Sequence, residues 1–321
     1  MTTDVERSTD DDVVAIPLRH PWRWVAAAAV IVVLGLLFNS LWTNENIQKQ
    51  YIWQFVFDPR ILKGVWITLI VTIISMVVAT ILAIILAIMR MSANPVLRGV
   101  SFLYIWFFRG TPLLVQIVFW GYLGLLYKQI SLGVPLTDFH IFAVDTNTLI
   151  PALVGGVIAL SLNEAAYAAE IVRAGLLSID HGQREAAYSL GMGPGYTLRR
   201  IILPQSMKVI IPPMGNETIS MLKNTSLLAV VAVPELYTAS SQISSGNLRQ
   251  VELLIVASLW YLFITSVLSV PQFYLERYYA RGNSRQLPPT PYQQLKQNIA
   301  RMRGRADNRR VAAKAREEMS A

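Results

Sequence analysis

Long apolar runs with almost no charge limit what this chain can fold into more than any other feature of its sequence. Trp24–Trp42 contains no charged residue, and Leu62–Met89 contains only Lys63. About 18 such residues in a helix cross the roughly 30 Å hydrocarbon layer of a bilayer. Charged residues make up 15% of the 321 residues, against roughly 25% in soluble domains. The chain is therefore predicted to be an integral membrane protein.

Six segments are expected to cross the membrane as α-helices, because a helix satisfies its own backbone hydrogen bonds in hydrocarbon. This makes the predicted fold class an all-α membrane protein with six transmembrane helices. The expected spans are Trp24–Trp42, Leu62–Met89, a third within Val100–Tyr127, Leu149–Val172, Ile211–Val233 and Val251–Phe273.

The third span is the irregular one. Met91–Gly99, with its helix-breaking Asn94-Pro95 pair, is expected to link it to the second span. Arg109-Gly110-Thr111-Pro112 then interrupts it, so we expect an interfacial turn of helix, a break and a span that starts near Pro112. Residues 128–148 are predicted to form a polar loop.

Lys and Arg predict the orientation. With the N-terminus in the cytoplasm, the inside segments carry 21 of the 28 basic residues and the outside segments carry four. The positive-inside rule thus places both termini in the cytoplasm. Residues 1–23 are predicted to be a disordered cytoplasmic tail, too long and too acidic for a signal peptide. Residues 278–321 are predicted to be a basic cytoplasmic tail that contacts membrane lipid.

Composition also excludes several function classes. The net charge of +8 is not arranged as a nucleic-acid-binding face, so no nucleic-acid partner is expected. The chain has no cysteine, and His20, His140 and His181 are far apart in sequence, so no metal site is expected. It has no phosphate-binding loop of the form Gly-x-x-x-x-Gly-Lys-Ser/Thr. We therefore expect this chain to bind no cofactor.

Residues 180–204, here named the EAA loop, are predicted to project from the membrane as two short helices. Asp180 is expected to cap the first helix, with Gln183 reaching back to it. Gly191 is expected to form a corner, since glycine adopts positive φ without strain. The second segment, Tyr196–Leu203, is expected to end at Pro204. Such a projection suits docking to a soluble partner.

The same loop carries a family resemblance. Glu185-Ala186-Ala187, then Gly191, then Ile201-Ile202-Leu203-Pro204 resembles the EAA signature of binding-protein-dependent ABC importer permeases. Arg109–Gln116 and Lys223–Leu227 look like the polar amino-acid branch, of the histidine, glutamate, glutamine and arginine type. The likeness covers about Gly64–Arg277. It implies a five-helix permease core at residues 62–277, with residues 24–61 as an extra first transmembrane helix and external loop.

The resemblance implies the permease subunit of an ATP-driven importer of polar amino acids in the bacterial cytoplasmic membrane. Its implied partners are two copies of an ATP-binding subunit that uses ATP-Mg, a second permease (a copy or a homologue) and an extracytoplasmic substrate-binding protein. The coupling residues that it implies are Gly182, Gln183, Glu185, Ala186, Ala187, Gly191, Ile201, Leu203 and Pro204. An ion-coupled secondary amino-acid transporter is the alternative, although no internal repeat supports it.

Polar residues inside the spans indicate where a substrate passes, since such residues usually face a cavity or a partner. The residues predicted to line the path are Asn163, Glu164, Tyr167, Asn216, Lys223 and Thr225. Glu164 with Asn163 is expected to accept the substrate ammonium group, or alternatively to pair with Lys223. Hydrogen bonding between helices explains Thr225 equally well. Glu170 is expected to pair with Arg173, and Arg109 either to anchor at the headgroup boundary or to meet a substrate carboxylate.

Overall fold

The computed structural model describes residues 21–133 and 140–280, together with Lys296. Both predicted tails lie outside the described residues, except for residues 21–23, residues 278–280 and Lys296, which are helical. The described chain is almost entirely α-helical, as predicted. Its first six helices are α1 (Pro21–Thr43), α2 (Lys49–Val56), α3 (Pro59–Met91), α4 (Pro95–Gly110), α5 (Leu113–Gly121) and α6 (Leu123–Leu126).

A small antiparallel hairpin follows, formed by β1 (Gln129–Gly133) and β2 (His140–Asp145) with Gln129 opposite Asp145. Part of the predicted loop 128–148 is therefore a hairpin, followed by a single helical turn that Asp145 caps. The later helices are α7 (Thr146–Leu149), α8 (Ala152–Leu177), α9 (His181–Ser189), α10 (Pro194–Thr197), α11 (Leu203–Asn224), α12 (Leu236–Asn247) and α13 (Gln250–Ala280). A π-helical turn, Leu198–Ile202, precedes α11, and a 3₁₀ segment, Thr225–Val231, follows it.

Four described helices are long and apolar enough to cross a membrane, namely α1, α3, α8 and α13. Two bent pairs raise the number to as many as six if each pair is one span. One pair is α4 with α5, at an angle of 100°, and the other is the continuous helix Pro194–Val231 with α12, at 44°.

In the third span the longer helix was predicted after the break at residues 109–112, and this prediction is wrong: α4, before the break, has 16 residues and α5, after it, has nine. The break expected at Asn94-Pro95 is present, but the link between α3 and α4 is only residues 92–94, because Asn94 Oδ1 accepts a hydrogen bond of 2.9 Å from the amide of Val96 and so starts α4. With its nine residues, α5 is about 14 Å long at 1.5 Å per residue. It is too short to span the hydrocarbon by itself.

The core of the bundle is α8, which packs against α3, α4, α5 and α11. Small side chains let these backbones approach closely, as is common between membrane helices. The small buried residues of α8 are Gly155, Gly156, Ala159, Ala165, Ala166, Ala168, Ala169 and Gly175. In contrast, every side chain of α1 from Trp22 to Thr43 is exposed.

Candidate functional site

Asp180 starts the EAA loop as predicted. Its Oδ1 accepts a hydrogen bond of 2.7 Å from the amide of Gly182. Gln183 does not reach back to this cap with its side chain. Its Oε1 instead lies 3.4 Å from Nε2 of Gln205 on α11. The first helix of the loop is thereby connected to the helix that follows the loop.

Gly191 forms the predicted corner with a φ of +75°. Its amide donates to the carbonyl of Tyr188 at 2.9 Å, and the amide of Met192 donates to the carbonyl of Ala187 at 3.0 Å. This pair of bonds is a Schellman motif, which ends a helix and favours glycine at the left-handed position. The corner therefore depends on the one residue type without a Cβ.

The prediction that the second segment ends at Pro204 is wrong. The helix that begins at Pro194 continues through the π-helical turn and through Pro204 to Val231. Pro204 lies in the first turn of α11, directly after the π-helical turn, where the irregular hydrogen bonding tolerates a residue without an N–H. The second helix of the EAA loop and the polar part of α11 are thus one continuous helix.

The residues of the EAA loop separate into an outward and an inward group. Glu185 and Ala186 are exposed, together with three large side chains that sequence reasoning did not select, Tyr188, Leu190 and Tyr196. Leu190 is 82% exposed. The inward group consists of Ala187, Ile201, Ile202 and Leu203. The outward group adds exposed aromatic and aliphatic side chains to a face that also carries the exposed Arg199 and Arg200, and exposed apolar surface of this kind is typical of a docking face.

Asn163 on α8 is buried and holds the bend between α4 and α5. Its Nδ2 donates to the carbonyl of Phe108 at 2.9 Å and to Oε1 of Gln116 at 3.3 Å. Gln116 Nε2 in turn donates to the carbonyl of Phe108 at 3.0 Å and to Thr111 Oγ1 at 2.7 Å. Gln116 ends the segment Arg109–Gln116 that carries the family resemblance, but it was not predicted as a site residue. Its signal was a lone amide within the apolar run Leu113–Trp120.

Glu164, one residue further along α8, is only 5% exposed. Its Oε1 has no hydrogen-bond partner within the described residues. The ion pairs among those residues do not join Glu164 to Lys223, so that alternative is not realised. The carboxylate that acts on Glu164 electrostatically is Glu217 of α11. The half-buried Glu217 thus lies near enough to Glu164 to act on it as a like charge, and neither residue takes part in an ion pair of the described residues.

Tyr167 and Glu170 lie towards α4. The guanidinium of Arg109 lies over the ring of Tyr167, 5.0 Å from its centroid. Glu170 and Arg173 form the predicted local ion pair, with Nη2 of Arg173 2.6 Å from Oε2 of Glu170. The face of α8 that carries Asn163, Tyr167 and Glu170 is therefore occupied mainly by contacts to α4 and within α8.

The predicted residues of α11 do not converge on Glu164. Asn216 Nδ2 donates to Oε1 of Glu276 on α13 at 3.1 Å. Lys223 is exposed. Thr225 is fully buried, and its hydroxyl donates to the carbonyl of Leu222 at 2.7 Å. Of the polar residues of this helix, Glu217 is the one whose charge acts on Glu164 of α8.

A second buried carboxylate, Glu235, lies where the 3₁₀ segment turns into α12, and sequence reasoning missed it. Its oxygens accept bonds from the amides of Tyr237 and Thr238 and from the hydroxyl of Tyr261 on α13, at 2.9, 2.7 and 2.8 Å. Glu235 therefore caps α12 and fixes it to α13.

Comparisons with known proteins agree with this architecture. The family model described as binding-protein-dependent transport system inner membrane component matches residues 79–282. The chain is 48% identical over 276 residues to the arginine transport system permease protein ArgU of Corynebacterium glutamicum, with 85% of each chain covered. It is 31% identical over 230 residues to the glutamine transport system permease protein GlnP of Escherichia coli K12, covering 71% of this chain and 97% of that one.

A solved structure is similar as well. The crystal structure of an amino acid ABC transporter with histidines contains a chain that is 32% identical to this one, with a TM-score of 0.60. The match covers 69% of this chain and 95% of that chain. Sequence and structure together confirm the predicted family. The chain belongs to the binding-protein-dependent transport system inner membrane components, the multi-pass permease subunits of ABC importers in which a separate subunit hydrolyses ATP.

Proposed function

We propose that this permease carries a cationic amino acid, and that Glu164 with Glu217 faces the positive end of the substrate. The observation that carries the proposal is the buried Oε1 of Glu164, which has no partner in the described part of the chain. A buried carboxylate without a partner is costly unless a cation or hydrogen-bond donor reaches it. The chain supplies no lysine or arginine to Glu164 among its described ion pairs.

The second carboxylate narrows the substrate class. Glu217 acts on Glu164 as a like charge, so a single bound cation would compensate the negative charge of both carboxylates. A guanidinium or an ammonium group on a substrate side chain meets this need, and a neutral amide such as that of glutamine does not. The arginine system of Corynebacterium glutamicum, to which ArgU belongs by name, is consistent with a cationic substrate.

The other predicted path residues take different roles in this proposal. Asn163 holds the bend of α4 and α5 next to the path, and Tyr167 is positioned against Arg109. Asn216 and Lys223 are exposed on α11 and line the path further along. Thr225 is buried and acts in packing.

Coupling to ATP is proposed to pass through the outward residues of the EAA loop. Two ATP-binding subunits, which use ATP-Mg, dock on the loops of two permeases, and a substrate-binding protein delivers the amino acid on the opposite side. The continuous helix Pro194–Val231 supports this assignment, since it runs from the docking loop to Glu217. Six spans with both termini in the cytoplasm complete the arrangement.

The test separates the permease from its delivery protein. Labelled arginine is bound to the purified permease–ATPase complex without binding protein, and arginine, lysine, citrulline and glutamine compete. Citrulline matches the shape of arginine and lacks its charge. Since hydrogen bonds to charged groups contribute about 1.5–3 kcal/mol, arginine is expected to compete at least about tenfold better than citrulline.

Two variants complete this experiment. Glu164→Gln is expected to reduce the preference for arginine over citrulline and leave the ATPase subunit bound, while Glu45→Gln, in an exposed loop, leaves both unchanged. Equal competition by citrulline or glutamine would contradict the cationic substrate, and an unaltered preference in Glu164→Gln would remove this residue from the path.

A further inference from the structure

A cavity of about 470 Å³ lies between α4, the end of α3 and α8. Its wall carries two arginines, Arg90 in the last turn of α3 and Arg109 in the last turn of α4. The two guanidiniums approach the cavity from opposite ends. α3 and α4 run antiparallel, since a short link joins them and the hydroxyl of Ser101 in α4 donates to the carbonyl of Leu86 in α3. A helical side chain points towards the N-terminus of its own helix, so the two arginine side chains point towards each other.

Both arginines lie on aromatic rings. Arg90 is 4.9 Å from the centroid of Phe102, and Arg109 is 5.0 Å from that of Tyr167. Neither takes part in the ion pairs of the described chain. The acidic residue of the cavity, Glu170, is already paired with Arg173. The cavity therefore presents two arginines that have cation–π contacts and no ion-pair partner among the described residues.

The mouth of the cavity continues into an apolar surface. Phe102, Trp106 and Arg109 follow one another at spacings of four and three residues on one face of α4. Trp106 is 63% exposed, and Leu103 beside it is exposed as well. Aromatic residues next to basic ones are typical of the interface between hydrocarbon and headgroups. This surface suits acyl chains, just as the arginines suit a phosphate.

We propose that the cavity between Arg90 and Arg109 binds the phosphate of an anionic phospholipid, with the acyl chains along the exposed face of α4. Arginine recognises phosphate through paired hydrogen bonds. Basic pockets between membrane helices on the cytoplasmic side bind anionic headgroups, and the proposed orientation places Arg90 at that side. This lipid contacts the helix whose bend Asn163 holds beside the substrate path.

Trp106 serves as an internal probe. The complete permease–ATPase complex is placed in phosphatidylcholine bilayers that contain an equal mole fraction of brominated phosphatidylglycerol or brominated phosphatidylcholine. The contribution of Trp106 is obtained by subtracting the fluorescence of the Trp106→Phe complex from that of the wild-type complex. We expect brominated phosphatidylglycerol to quench this fluorescence more strongly than brominated phosphatidylcholine does. Arg90→Gln and Arg109→Gln are each expected to lower the affinity for phosphatidylglycerol relative to phosphatidylcholine about fivefold, since one basic residue contributes about 1 kcal/mol.

The matched control is Arg98→Gln, because Arg98 is an exposed arginine of the same helix that does not line the cavity. It is expected to keep the full preference for phosphatidylglycerol. Equal quenching by the two brominated lipids in the wild-type complex overturns the proposal, whether or not the variants fold. A free amino acid that removes the quenching overturns it as well, because the cavity is then a substrate carboxylate site.

Discussion

Asn163 on α8 donates a hydrogen bond of 2.9 Å to the main-chain carbonyl of Phe108 on α4. The same carbonyl accepts a bond of 3.0 Å from Gln116 on α5. One main-chain acceptor thus connects three helices at the 100° bend. Asn163 directly precedes Glu164 in α8, so the bend is attached to the helix that carries the proposed substrate carboxylate.

Asn163→Ala is expected to destabilise this bend. The substitution removes a donor from the carbonyl of Phe108 and from Oε1 of the buried Gln116, at a cost of about 1–3 kcal/mol. A lower thermal midpoint of the purified complex and faster hydrogen exchange in α5 are the measurements. Ser269→Ala is the control, because that exposed hydroxyl bonds only the carbonyl of Thr265 in its own helix. Equal midpoints for the two variants would contradict the role given to Asn163.

Gly191 and Gly193 form a matched pair in the EAA loop. A Cβ at either position meets no atom within 4 Å, but Gly191 has a φ of +75° and Gly193 has a φ of −68°. Gly191→Ala is therefore expected to cost about 1 kcal/mol of backbone strain, and Gly193→Ala to be nearly neutral. Titration of the ATPase subunit onto the detergent-purified permease should show weaker binding for Gly191→Ala alone. Equal loss in both variants would mean that space, not conformation, limits the corner.

Glu235→Ala is expected to loosen α12. The change removes the helix cap, at about 1 kcal/mol, and leaves the buried hydroxyl of Tyr261 without its acceptor, at about 1–3 kcal/mol more. Hydrogen exchange of the first amides of α12 should accelerate strongly. Ser245→Ala, an exposed position of the same helix, should leave the exchange unchanged. Slow exchange in Glu235→Ala would show that other contacts hold the start of α12.

Substitutions of Gly64 and Gly99 test how closely α3 packs against α12. A Cβ on Gly64 would lie 2.9 Å from the Cα of Leu236, while a Cβ on Gly99 meets nothing within 4 Å. Gly64→Ala is expected to cost about 1–3 kcal/mol through overpacking of α3 against α12. Gly99→Ala, inside α4, is expected to gain up to about 1 kcal/mol because alanine favours the helix. The thermal midpoints should move in opposite directions, and a stabilised Gly64→Ala would contradict the packing.

The sequence predicted the features that depend on local pattern. The apolar runs indicated α1, α3, α8 and α13, since length and hydrophobicity suffice to define a span. The spacing of Glu185, Gly191 and Pro204 indicated the family. Gly191 was predicted to form the corner because the preference for a left-handed backbone conformation depends on the residue type itself and not on distant contacts.

Features that depend on contacts between distant residues were not predictable. The bend of α4 and α5 depends on Asn163, which lies 55 residues from Phe108 in sequence. Pro204 suggested a helix end, and only the preceding π-helical turn lets the helix continue. The approach of Glu217 to Glu164 requires the packing of α11 on α8, which no periodicity in either helix reveals.

The most direct measurement of the central claim is uptake of labelled arginine into proteoliposomes that contain this permease, its ATP-binding subunit and its substrate-binding protein. The account predicts accumulation that requires ATP and all three components and that Glu164→Gln abolishes. Accumulation driven by an ion gradient in vesicles that contain the permease alone would contradict it.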